Sequence, residues 1–377
     1  MRDLFEIGMG RTARRAYDFD DVQIVPSRRT RSSWDVSTAW QIDAYRFDIP
    51  LVTHPTDAIV SPAMAIRLGE LGGLGVLNAE GLWARHPDVD KLLVQLAAAV
   101  AADGEAAGVG LLQQWHAAPI RVELLAEALG RVAAAGATVA ARVSPQRARE
   151  LAPVLVAAGV EILVVQGTII SAEHVSRRPG AEPLNLVEFI ASLDVPVIAG
   201  GVGDYRTALH LMRTGAAGVI VGYGAGTCTS TAEVLGIRVP MATAVADAAA
   251  ARRDYLDETG GRYVHVIADG GIRTSGDIAK AIGCGADAVM LGELLTGAAE
   301  APGGGLYWTA AAAHPSLPRS HIRALARTPI GLDTLLFGPS CDPSGTVNLF
   351  GGLRRAMAKT GYSDLKEFQK VELTIRP

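Results

Sequence analysis

Cysteine is scarce in this chain. Its 377 residues hold 3 of them, Cys228, Cys284 and Cys341. An odd number cannot all pair, and none stands in a C-x-x-C pair, which argues against a disulfide framework or a zinc site. Excess positive charge is also absent. The net charge is −4 and the pI about 6.1, so no basic field marks the chain for nucleic acid. The start, MRDLFEIGMGRTARR, has no apolar h-region and does not read as a secretory signal. No uninterrupted apolar run reaches membrane-spanning length. The expectation is a soluble, cytoplasmic α/β protein with no nucleic-acid or membrane partner. Glycine, by contrast, is abundant: 42 residues suit a fold with many strand-to-helix turns.

One local pattern recurs. An alanine-rich helical stretch ends in glycine, and a short β-branched run follows. The stretches AAAGATVAARV, AAGVEILVVQG, TGAAGVIVG and CGADAVMLG all show it, with Gly136, Gly159, Gly215 and Gly285 as natural helix C-cap residues. Runs that are nearly all apolar suit strands buried on both faces of a parallel sheet. The predicted strands are 49–53, 73–77, 138–143, 162–167, 196–200, 218–222, 264–268 and 287–291. Eight is the number that closes a (β/α)8 TIM barrel, and the chain length suits one such barrel with insertions. Residues 1–48 are predicted to form an arm with short strands. Residues 49–377 are predicted to form one barrel domain, with a flap-like loop over 300–346 and a C-terminal tail. The stretch 106–112 is assigned to a helix, because the residues after it keep helical periodicity.

In such a barrel the site lies at the C-terminal strand ends. The seventh predicted strand ends in ADGGIRTSGD. Asp269 there can grip a ribose diol, while Gly270 and Gly271 let backbone amides approach a phosphate ahead of a helix. The competing reading is a D-G turn made for backbone reasons alone. The eighth strand ends in LGELL, whose Gly292 and Glu293 amides would share the phosphate. Upstream, GYGAGT is a poor dinucleotide fingerprint, being G-x-G-x-G with no helix opening on it. It can form a nest for an anion or a carbonyl-lined cation site. Cys228 follows it as a candidate nucleophile, weighed against a small buried residue. Cys284 reads as core and Cys341 as loop. His54 is either a base or a structural histidine.

These landmarks together resemble the IMP dehydrogenase/GMP reductase family. YDFDDVQIVPSRRTRS resembles its N-terminal signature, and VIADGGIRTSGDIAKAIGCGADAVMLGELLTGAAEAPG its most specific stretch. GGLRRAMAKTGYSDLKEF resembles its C-terminal helix. The resemblance implies a (β/α)8 barrel, a homotetramer, and NAD-dependent oxidation of IMP to XMP in guanine nucleotide synthesis. It implies that a cysteine thiolate attacks C2 of IMP and that loop carbonyls hold a potassium ion (K+). By motif match, Asp269 would bind the ribose hydroxyls. Thr227, Gly271, Gly292 and Glu293 would bind phosphate, and Tyr307 would face the purine nucleotide. Gly224, Gly226 and Cys228 would offer cation carbonyls. Cys228, Ser230 and Glu300 would be the catalytic group, and Gln166 would stand nearest the NAD contact. The family's paired regulatory CBS domains have no room here, since 84–135 reads as helices.

The chain also departs from the family pattern. Aligned without gaps on Pro240, the nucleophile position falls on Thr229, one residue after Cys228. Val165 or Gln166 replaces the family's cofactor aspartate, and Ile220 replaces a basic residue. Tyr307 is kept in YWTAA, but Thr309 and Ala310 replace glycine and methionine. The flap's Arg-Tyr base pair is not recognisable, although SLPRSH, with Arg319, is a possible replacement. Three other readings therefore stay open. They are a purine-nucleotide binder without turnover, a GMP reductase, and an FMN-dependent barrel enzyme.

Overall fold

Each short apolar run after a glycine-stopped helix becomes one strand of a parallel sheet. In this computed structural model, residues 4–177, 182–226, 228–313, 321–325 and 328–376 are described. The strands are β1 (Leu51–Thr53), β2 (Val76–Asn78), β3 (Ala140–Val143), β4 (Ile162–Gln166), β5 (Val197–Val202), β6 (Gly218–Ala225), β7 (His265–Gly270) and β8 (Ala288–Leu291). Sequential neighbours pair in parallel from β2 to β8, and β8 pairs with β1. The ring closes where Val52 bridges Leu74 and the Leu74 amide donates to the Leu51 carbonyl at 2.8 Å. This is a (β/α)8 barrel.

Helices cover the outside. They include Pro62–Glu70, Ala148–Ala157, Leu186–Ala191, Tyr205–Met212, Met241–Thr259 and Ser275–Gly283. The four predicted stop glycines, Gly136, Gly159, Gly215 and Gly285, all take positive φ. That left-handed backbone is what lets a helix end and the chain turn back toward the sheet. Between β2 and β3, where the family's regulatory domains would sit, lie three helices, Val89–Asp103, Glu105–His116 and Val122–Ala134. The barrel strands are almost wholly apolar and sealed: Ile162, Leu163, Val164, Val165, Val219, Ile220 and Val221 are all fully buried. Each such side chain contributes about 1.5–3 kcal/mol of burial energy.

Three predicted boundaries are corrected. β6 does not stop at residue 222. It runs on to Ala225, which pairs with Gly270 after a register shift, so most of GYGAGT is strand rather than loop. Gly224 therefore belongs to β6. Within the stretch read as a flap-like loop, Leu332–Phe337 is a helix that buries Leu332, Leu335 and Leu336 at helical spacing. The tail is not loose either. Its strand Leu373–Ile375 pairs antiparallel with Val22–Ile24 of the N-terminal arm and holds the arm against the barrel.

Candidate active site

The C-terminal ends of β1, β6, β7 and β8 surround a cavity of about 310 Å3. Its lining includes the side chains of His54, Cys228, Thr229, Asp269, Glu293 and Tyr307. Asp269 ends β7, in register with Met290 of β8. One carboxylate oxygen accepts from the Gln166 side-chain amide at 3.0 Å, and the other lies 3.6 Å from His54 Nδ1.

Beyond Asp269 the chain turns at Gly271, φ +69°. A side chain there would be strained and would press on Met241. The helix Ser275–Gly283 follows, capped by the Thr274 hydroxyl, which accepts from the Asp277 amide at 3.2 Å. Backbone amides at such a turn form an anion cradle. Gly271, Gly292 and Glu293 all line the cavity, as does Gly270. The Tyr307 hydroxyl lies against Gly292, in the space a β-carbon would need. Burial pushes the Tyr307 hydroxyl well above its ordinary pKa, and the neighbouring Asp269, Cys228 and Glu293 add to this. It stays a phenol and can donate to an anion.

Cys228 and Thr229 are adjacent in the wall, so both sequence registers reach the cavity. Cys228 is fully buried, and its thiol donates to the Tyr307 carbonyl at 3.4 Å. The Thr229 hydroxyl is turned back to the Gly226 carbonyl at 3.0 Å. Of the other cysteines, Cys284 is pushed up to about 12 by burial, which keeps it an inert thiol, and Cys341 is exposed in a loop.

Several expected residues stand elsewhere. Ser230 is the N-cap of the short helix Thr231–Leu235 and is not among the cavity-lining residues. Both Glu300 carboxylate oxygens accept from the Leu332 amide, at 3.1 and 3.0 Å, so this acid caps the helix Leu332–Phe337. A carboxylate is favoured at a helix start, and Glu300 is not among the cavity-lining residues. Gln166 does not line the cavity; it serves Asp269. Thr227 and Arg319 lie outside the described residues.

The residues named for NAD and the cation are engaged within the protein. Gln166, the only NAD contact expected, is 8% exposed and turned to Asp269. The Gly226 carbonyl already accepts from Thr229, and the Cys228 carbonyl accepts from the His321 amide at 3.3 Å. Gly224 lies within a paired strand.

The wall also holds residues the sequence reading had not placed there: Asp18, Phe19, Asp20, Arg238 and Arg273. Arg238 pairs with Asp18 at 2.6 Å, and Arg273 pairs with Asp20. The FDD motif was visible in the sequence, but nothing local says that the arm folds over the barrel mouth.

A sequence profile of the IMP dehydrogenase/GMP reductase domain matches residues 16–314. The chain belongs to this family. It is 65% identical over 376 residues to an uncharacterized oxidoreductase of Mycolicibacterium smegmatis, covering 99% of this chain and 100% of that protein. It is 27% identical to the inosine-5′-monophosphate dehydrogenase of Methanocaldococcus jannaschii, covering 95% of this chain and 92% of that one. A crystal structure of an IMP dehydrogenase/GMP reductase-like protein from Corynebacterium glutamicum superposes with a TM-score of 0.94. That match has 56% identity and covers 99% of this chain and 98% of the other. Among the described residues, no helix is long and apolar enough to cross a membrane.

Proposed function

We propose that the chain is an IMP dehydrogenase-related oxidoreductase whose barrel-mouth cavity holds a purine nucleoside 5′-monophosphate. Its nominal reaction is the oxidation of IMP to XMP. One observation carries this reading. A strand-end carboxylate, Asp269, and a glycine-rich amide cradle with the Tyr307 hydroxyl share one cavity with Cys228. Asp269 accepts from the ribose diol. The amides of Gly271, Gly292 and Glu293, with Tyr307, hold the phosphate. As a thiolate, Cys228 Sγ would attack the purine C2, C2 would then give up its hydride, and water would cleave the C2–S bond to release XMP and return the thiolate. Bound NAD would supply the hydride acceptor.

A second reading has its own observation. The Cys228 thiol is buried and engaged with Tyr307, which favours a protein that holds the nucleotide without turnover. Incubation with IMP, NAD and potassium, followed by NADH absorbance, separates the two. Turnover lost in Cys228→Ala and kept in Thr229→Ala supports the oxidation. No turnover, with IMP still raising the melting temperature, leaves nucleotide binding alone. A colourless preparation would count against a flavin enzyme.

A further inference from the structure

The mouth of the barrel contains a second layer of polar contacts behind the cavity wall, and no role in the proposed reaction uses it. Gln166 closes β4 and is buried. Its side-chain nitrogen donates to Asp269 Oδ2 at 3.0 Å and lies 3.6 Å from Met290 Sδ. The second contact is with a weak acceptor, so both neighbours call for the –NH2 end of the amide. The orientation of Gln166 is thereby set.

The end of β4 is itself held. The Gln166 carbonyl accepts from Arg142 Nη2 at 2.7 Å. Arg142 projects from β3, and burial works against its charge. The nearest counter-charge is Glu80, 3.5 Å away, which also accepts from the Ser144 amide. A guanidinium is costly to bury unless its donors are used. Here one of them fixes the carbonyl of the residue that grips Asp269. The chain of contacts runs Glu80, Arg142, Gln166, Asp269 and crosses four barrel strand ends.

We propose that Gln166 is a positioning residue for Asp269 and no cofactor contact, with Arg142 locking the strand end from which it acts. A carboxylate that receives a ribose diol must present a free oxygen in a fixed direction. Gln166 occupies Oδ2 and so turns the remaining lone pairs of Asp269 toward the cavity. The substrate class follows: a ribonucleotide with its diol intact, discriminated from deoxy analogues through Asp269. This inference rests on the reading of the cavity as a nucleotide site.

The test is a cycle between protein and ligand. Binding of IMP and of 2′,3′-dideoxy-IMP is measured by calorimetry on the full chain and on two variants. Gln166→Met keeps the volume and removes the donor. Gln166→Glu keeps the shape and sets a like charge against Asp269. Both should weaken IMP by about tenfold or more, the scale of one hydrogen bond to a charged group. Both should leave the dideoxy analogue nearly unchanged, so the preference for the diol collapses. Ligand-free melting temperatures check that the variants fold. Equal loss for both ligands, or no loss for either, would overturn the positioning role while leaving the nucleotide site intact. Wild-type protein that does not bind IMP would instead overturn the nucleotide reading, and this inference with it. If Gln166→Met fails to fold, the comparison is carried by Gln166→Glu and by Arg142→Lys. The lysine keeps the charge but loses the forked donor, and should show the same selective loss in weaker form.

Discussion

Asp269 meets the cavity with one oxygen on Gln166 and the other facing His54. A ligand at a hundred times its dissociation constant stabilises a protein by about 2.7 kcal/mol. A hydrogen bond to a charged group contributes about 1.5–3 kcal/mol of that scale. Asp269→Ala should therefore remove most of the IMP-dependent rise in melting temperature. An unchanged rise would show that the ribose contact lies elsewhere. Gly222 makes a linked prediction. Its φ is +147°, and a β-carbon there would run into the Asp269 carbonyl oxygen. Gly222→Ala should cost about 1–3 kcal/mol in a denaturant melt and weaken IMP binding as well, because it pushes β7 away. At this scale the sequence located residues at the barrel mouth where the signal is local to a strand end: Asp269, Gly271 and Gly292 all line the cavity. It did not foresee the contacts of Gln166 and Glu300, which are absent from the cavity wall. The first is oriented by a residue 103 positions away, and the second by a helix start 32 positions away. No local pattern encodes either partner.

The glycine-stopped repeats made four barrel strands legible, because each repeat is a self-contained stop and start, and short apolar runs marked the other four. Among the elements missed, two show why. The strand Leu373–Ile375 exists only because the arm offers an edge across the whole chain. The helix Leu332–Phe337 is short and depends on Glu300 for its cap. Another element supports a prediction about assembly. The hairpin Leu4–Gly8 with Arg11–Arg14 leaves Leu4, Ile7 and Met9 at 64%, 68% and 102% exposure. A two-stranded hairpin alone is marginally stable, and a cluster of exposed apolar side chains marks an interaction surface. We expect the protein to self-associate through this hairpin. Sedimentation velocity should report an oligomer for the wild type and smaller species for a Leu4→Ser, Ile7→Ser, Met9→Ser variant. Identical sedimentation of the two would remove the hairpin from the interface.

The whole molecule is tied shut at the opposite end of the barrel from the cavity. Asp287, just before β8, accepts from Arg252 and Lys366 at 2.6 Å each, from the Tyr263 hydroxyl at 2.7 Å and from the Val266 amide at 2.8 Å. Burial alone would raise its carboxyl, but Arg252, Lys366 and His265 outweigh this and hold it below the ordinary carboxylate range. Lys366 lies beyond the C-terminal helix Leu349–Lys359, so this contact joins the tail to the barrel base. His265 begins β7 beside this cluster. Burial pushes it down from 6.5 to about 4, against the opposing pull of Asp287, whose Oδ2 lies 4.0 Å from His265 Nδ1; that nitrogen makes no hydrogen bond among the described residues. The unfolded chain therefore binds a proton at this histidine that the folded chain refuses. Stability is full above about pH 6.5, falls as the pH drops from there, and stops falling on this account near pH 4. The shift corresponds to about 3 kcal/mol at most. Asp287 acts in the adjacent window. Its contribution is present above the unfolded carboxylate value of about 3.9 and is lost only as the pH falls below it. Melting temperatures taken from pH 7 down to pH 4 should thus decline in the wild type. They should decline less in His265→Phe, which keeps a ring against Trp40 and Tyr263. If the two curves run parallel, His265 is not the group that couples the barrel base to pH.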